Sequence, residues 1–132
     1  DIDGEAAYDE SGISVSLSAD GTALAVGAHY NDGAGSDAGH ARVFAWDSVD
    51  ETWVQRGDDV DGEAADDFSG YSVSLSADGT TLAVGAPYND GGGTDAGHAR
   101  VYSSWGVVEW IQRGDDIDGE AAYDYSGVSV SL

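Results

Sequence analysis

Residues 11–28 read SGISVSLSADGTALAVGA, and residues 69–86 read SGYSVSLSADGTTLAVGA. In the first stretch Ile13, Val15 and Leu17 alternate with Ser14 and Ser16. Period-two alternation places the aliphatics on one face of a strand and the serines on the other. Ala19-Asp20-Gly21 follows, and Asp-Gly is a favoured hairpin signal because both turn positions tolerate positive φ. A second strand then runs from Thr22 to Ala28, with Leu24 and Val26 on one face and Ala23, Ala25 and Gly27 on the other. Those small residues predict close approach of a neighbouring sheet.

Working outward, the strand–turn–strand unit belongs to a longer repeat. Residues 1–44 and 59–102 align without a gap and differ at nine positions, and GDD(V/I)DGEAA recurs at Gly57 and Gly114. The first copy is one residue longer, in the stretch from Phe44 to Trp53 against Tyr102 to Trp110. A glycine-rich loop, Tyr30 to Gly39, leads to a third strand, His40 to Trp46, and a fourth from Thr52 to Arg56 closes the unit. The second copy repeats the order as Ser69–Ser76, Thr80–Ala86, His98–Ser103 and Glu109–Arg113.

The predicted fold is therefore all-β: tandem four-stranded antiparallel blades of a β-propeller, incomplete in one chain at about two and a quarter repeats. The units are 1–59 (blade 1), 60–116 (blade 2), and 117–132, the lead-in loop and first strand of an incomplete blade 3. Closed propellers hold ~4–8 blades, so completion must come from other copies of the chain or further repeats of the same polypeptide. Residues 1–17 and 116–132 are nearly identical and the chain opens on Asp1, as in a window cut from a longer array or a subunit joined head to tail. Burial of Val15, Leu17, Leu24 and Val26 is expected to drive the packing, at roughly 1.5–3 kcal/mol each when complete.

Of the 132 residues, 26 are Asp or Glu and four are Arg, with no Lys, for a net charge of −22. That charge repels nucleic-acid phosphates and anionic lipid surfaces, and it attracts divalent cations. Cysteine is absent, which excludes a disulfide framework and thiolate metal sites. No stretch approaches the ~20 apolar residues of a membrane span.

Ser69 to Leu75 paired with Leu82-Ala-Val-Gly-Ala-Pro87, and later Gly97-His-Ala-Arg-Val-Tyr102, resemble the FG-GAP repeat, over nearly the whole chain and twice over. The resemblance implies blades like those of the integrin α-subunit propeller, found also in bacterial and algal surface proteins, and so an extracellular or cell-surface location. Ser69 stands where the family has its name-giving phenylalanine, and His29 replaces the proline found at Pro87. Integrin-type blades often carry an Asp-rich calcium loop between their first two strands. Here those connections are Ser18-Ala-Asp-Gly21 and Ser76-Ala-Asp-Gly79, too short to inherit its ligands.

Two other loops are candidates for calcium. The lead-in loop carries Asp59, Asp61, Glu63 and Asp67 in one copy and Asp116, Asp118, Glu120 and Asp124 in the next. Alternating Asp-x-Asp-Gly sets carboxylates on one side of a turn, and calcium takes six to eight oxygens. The alternative is an Asx turn from Asp61 to Gly62. Asn31 to Asp37 and Asn89 to Asp95 faintly echo glycine–aspartate calcium repeats, against a plain glycine turn at the blade edge.

His40 and His98 have no second histidine or cysteine nearby and read as hydrogen-bonded structural residues rather than zinc or catalytic ones. Arg42/Arg100 and Arg56/Arg113 are expected to pair with lead-in aspartates. Trp53 and Trp110 read as covers for a sheet face or blade interface, with sugar binding as the alternative. Neither a Gly-x-Ser-x-Gly elbow nor a serine–histidine–acid set is recognisable. The function expected is a non-enzymatic extracellular structural or adhesive repeat protein that assembles by blade completion. The alternatives are a calcium-dependent module binding surface glycans or proteins, and a non-catalytic repeat region of a larger enzyme.

Overall fold

A computed structural model describes residues 1–104 and 109–132. The first sheet comprises β1 (Ser14–Leu17), β2 (Ala23–Ala28), β3 (His40–Asp47), β4 (Thr52–Gln55) and β5 (Val60–Asp61). The second comprises β6 (Ser72–Leu75), β7 (Thr81–Ala86), β8 (His98–Ser104), β9 (Trp110–Gln112) and β10 (Ile117–Asp118). Both run antiparallel, in the order β1-β2-β3-β4 and its repeat β6-β7-β8-β9. The expected all-β blade pairs are present, and no helix occurs among the described residues. The shortened connection after Tyr102 falls partly on residues 105–108, outside the described residues.

Each sheet borrows two residues from the next repeat. β4 pairs with the far half of β3, Phe44 to Asp47, while β5 pairs with its start, His40 and Ala41. β10 does the same to Ala99 and His98 of β8. The two-residue additions satisfy backbone groups at the strand start that the fourth strand does not reach, and they tie each lead-in loop to the preceding blade.

The first strands are shorter than the alternation suggests. Ile13 N–H bonds to Glu10 O and Gly12 adopts φ 94°, so a turn occupies residues 10–13 before β1 begins. The Asp-Gly connection also differs from a two-residue hairpin. Only Gly21 and Gly79 take positive φ, and Ser18 N–H reaches Ala23 O across a longer loop. Asp20 Oδ1 organises that loop, accepting from Ser18 Oγ, Thr22 N and Thr22 Oγ1. Asp78 repeats this set and its pKa is lowered to about 2, chiefly by the Ser76 hydroxyl and then by Thr80.

The core lies between the sheets. Ala23, Ala25, Ala41 and Val43 from the small-residue face of the first sheet meet Val73, Leu75, Leu82, Val84 and Tyr102 from the large-residue face of the second. Approach is close: a Cβ on Gly27 would sit 2.0 Å from Gly70 O. Ser14 Oγ donates to Gly70 O, and Leu75 N–H donates to Ser16 Oγ, so the serine face of β1 stitches the blades together.

Among the described residues, the β1 part of the first sheet's large-residue face has no such neighbour. Val15 is 61% exposed and Leu17 54%, against 7% and 5% for Val73 and Leu75 one repeat later. Of the four aliphatics expected in the core, Val26 is buried and Leu24 half-buried within the first blade itself, whereas Val15 and Leu17 on β1 are buried only in their counterparts Val73 and Leu75, where another blade packs against the strand.

At the other end, Ser72 Oγ donates to Gly127 O and Leu132 N–H donates to Ser74 Oγ, the same bonds that join the first two blades. The segment after Ser126 occupies the place of a third blade's first strand without being a strand. Among the described residues it lacks the hairpin partner that β2 gives to β1 and β7 to β6.

Candidate functional site

The lead-in loops crowd one end of each blade, held by the glycine-rich loop of the repeat before. Ala38, Gly39, Asp37 and Ser36 carbonyls accept from Ser69, Gly62, Phe68 and Asp66 N–H groups, and the next repeat reproduces the set from Ser126 and Gly119. Asn31 Nδ2 donates to Asp9 and Asn89 Nδ2 to Asp67. The Asn31–Asp37 and Asn89–Asp95 loops are therefore used as structural docking turns.

The eight acidic residues singled out in the lead-in loops go to different places. Asp67 is buried, and its Oδ2 accepts from Ala64 N and Asn89 Nδ2. Asp124, exposed, accepts from Ala121 N. Asp61 and Asp118 lie in β5 and β10. The Asp61 carboxyl is pushed up by burial and then by neighbouring Asp59, although its residue as a whole stays exposed. Glu120 is exposed. Asp59 and Glu63, four residues apart, point to different clusters, so the four carboxylates of one loop do not converge.

Asp59 Oδ2 lies 3.6 Å from His40 Nδ1, which Glu5 Oε2 also approaches at 3.9 Å. One repeat on, Asp116 Oδ2 lies 3.7 Å and Glu63 Oε2 3.9 Å from His98 Nδ1. Both histidines are buried, yet neither Nδ1 has a hydrogen-bond partner among the described residues. That departs from the hydrogen-bonded role the sequence suggests. Burial, with Arg100 adding to it, lowers the pKa of His98.

Arg42 and Arg100 do reach the lead-in loops, through backbone rather than aspartate carboxylates. Arg42 Nη2 donates to Asp3 O and Arg100 Nη2 to Asp61 O, while their Nη1 atoms approach Glu5 and Glu63 at 3.5 and 3.6 Å. Arg56 crosses the interface instead, donating to Gly79 O and Ser104 Oγ and lying over the Trp110 ring. Trp110 Nε1 returns a bond to Arg56 O. Trp53, its counterpart, stacks edge-on with Trp46 at 5.4 Å on the first blade.

A row of aromatic rings that the sequence left unremarked crosses the repeats. Tyr30, Phe68, Tyr88 and Tyr125 meet edge to face at 5.4, 4.9 and 5.4 Å. Phe68 and Tyr125 hold φ values of 54° and 51°, which non-glycine residues seldom adopt. A shallow cleft beside them is lined by Glu63, Asp66, Tyr88, Asn89 and Asp95.

Two packed antiparallel sheets, each handing its first-strand serines to the next, define a β-propeller-type blade repeat. The FG-GAP repeat model matches residues 3–44 and 59–102, and the chain belongs to the FG-GAP repeat family. Among curated proteins, none matches the sequence.

Proposed function

We propose that the chain is a non-enzymatic structural or adhesive module of an extracellular or cell-surface protein, and that it works by blade-to-blade assembly. The observation carrying this reading is the difference between equivalent residues. Val15 and Leu17 are half-exposed where Val73 and Leu75 are buried by the adjacent sheet. An open apolar face with a known complementary face one repeat away is an interaction surface.

Further repeats of one polypeptide meet this need directly. Residues 126–132 already hold the first-strand position against blade 2, and among the described residues no hairpin partner covers them. A second copy would have to exchange its own residues 1–17 for 116–132, which the near-identity of the two segments permits. Electron microscopy of the native polypeptide tests the reading: closed rings or long threads are expected, and isolated two-blade particles contradict it.

The aromatic row supports a second reading, in which surface glycans stack on Tyr30, Tyr88 and Tyr125 and bond to the nearby Asp66 and Asp95. Binding on a glycan array that disappears in Tyr88→Ala supports it, and an array without specific binding removes it. Calcium enters as a stiffener of the acidic loops, drawing ligands from more than one loop. A melting temperature equal in calcium and in EGTA removes that role.

A further inference from the structure

The clusters around His40 and His98 have the construction of metal sites. Each combines a histidine at most 1% exposed, a glutamate from the lead-in loop before it and an aspartate at the start of the lead-in loop after it. Nδ1 of each ring has no hydrogen-bond partner among the described residues and faces two carboxylate oxygens. The separations of 3.6–3.9 Å exceed the 2.7–3.2 Å of a hydrogen bond. They are close to the span across a shared tetrahedral ion, since metal–nitrogen and metal–oxygen bonds of about 2.0–2.2 Å put the two ligand atoms roughly 3.4 Å apart.

The outer oxygens of the carboxylates are already held. Glu5 Oε1 and Glu63 Oε1 face Arg42 and Arg100, leaving each Oε2 toward the imidazole. Asp59 Oδ1 and Asp116 Oδ1 accept from Gln55 and Gln112 at 2.6 and 2.7 Å, leaving each Oδ2 toward the same nitrogen. Such outer partners orient the ligands of protein metal sites.

We propose that each repeat binds one zinc-class divalent cation through histidine Nδ1, glutamate Oε2 and aspartate Oδ2, with water completing the shell. One nitrogen with two carboxylates suits zinc, whereas calcium and magnesium take oxygen ligands. Each cation joins the lead-in loops at the two ends of a blade. Asp59 serves the first site and Glu63 the second, so the ions link successive repeats in a chain. Glu120 would open a third site whose histidine and aspartate belong to a following repeat.

Zinc chloride titrated into the full chain by calorimetry, with cobalt absorption as a second readout, tests the proposal. The expected result is two sites of micromolar or tighter affinity, one lost in His40→Gln and the other in His98→Gln. Glu63 is exposed enough that Glu63→Gln should fold, and this variant is expected to weaken only the second site, by at least ~10-fold. Millimolar calcium should displace neither ion. No zinc binding below millimolar concentration, or uptake unchanged in the double histidine variant and in Glu63→Gln, overturns the proposal and identifies diffuse attraction to an acidic surface.

Discussion

Leu17 and Leu75 are the same residue of successive repeats in different surroundings, so truncating each separates the effect of the neighbouring blade from that of the strand. Leu75 is 5% exposed within the inter-blade core. Leu75→Ala removes buried methyl groups and leaves a cavity, at a cost of about 2–5 kcal/mol. Leu17 is 54% exposed. Only about half of a leucine's transfer free energy is at stake there, and the gap opens to solvent, so Leu17→Ala should cost about 1 kcal/mol in dilute protein. Urea unfolding followed by tryptophan fluorescence measures both. When protein concentration is raised until assembly occurs, the Leu17→Ala penalty should climb toward that of Leu75→Ala. Equal penalties in dilute protein, or a Leu17 penalty independent of assembly, would refute the view that blade 1 presents an unfilled copy of the inter-blade contact.

Three further outcomes follow from individual contacts. Gly27→Ala drives a Cβ to 2.0 Å from Gly70 O and should cost about 1–3 kcal/mol by urea midpoint, while Gly85→Ala against Gly127 O should cost less because the opposing segment has no hairpin partner among the described residues. Asp67→Ala strips the buried Asn89 amide of its acceptor and should cost about 1–3 kcal/mol, whereas Asp124→Ala, losing one exposed bond, should cost less than about 1 kcal/mol by the same assay. Asp78 has its folded-state pKa depressed to about 2, so its contribution is present above the unfolded value near ~3.9 and is lost as pH falls through about 2. In Asp78→Asn the melting temperature between pH 5 and pH 2 should fall less steeply than in the parent protein.

The blades were legible because their signals are local. Alternation in SVSL, the small residues of ALAVGA and the repeat itself lie within short spans, and the sheets form where those spans predict. The inward face of each blade was also readable, since Ala23, Ala25 and Gly27 leave room for little but another sheet. What escaped was whatever depends on a neighbour. Val15 and Val73 sit in the same SVSLSADGT stretch, yet one is exposed and the other buried, because burial is decided by the adjacent blade. The histidine clusters escaped for a related reason: Glu5, His40 and Asp59 are spread across almost a full repeat, and no short motif announces them. The faint signal was the spacing of His40 and Arg42, two apart on one face of β3, which lets the arginine turn the same glutamate toward the ring. Reading the lead-in acids as one set missed that β5 divides them, sending Asp59 back to the preceding blade and Glu63 on to the next.

Sedimentation equilibrium of the chain beside Leu17→Asp bears most directly on the open face of the first blade. The mass of the parent chain should rise above 13.5 kDa with concentration, while a buried carboxylate in the contact should hold the variant at monomer mass. A parent chain that stays monomeric throughout, or a variant that associates equally well, would contradict an assembly built on that face.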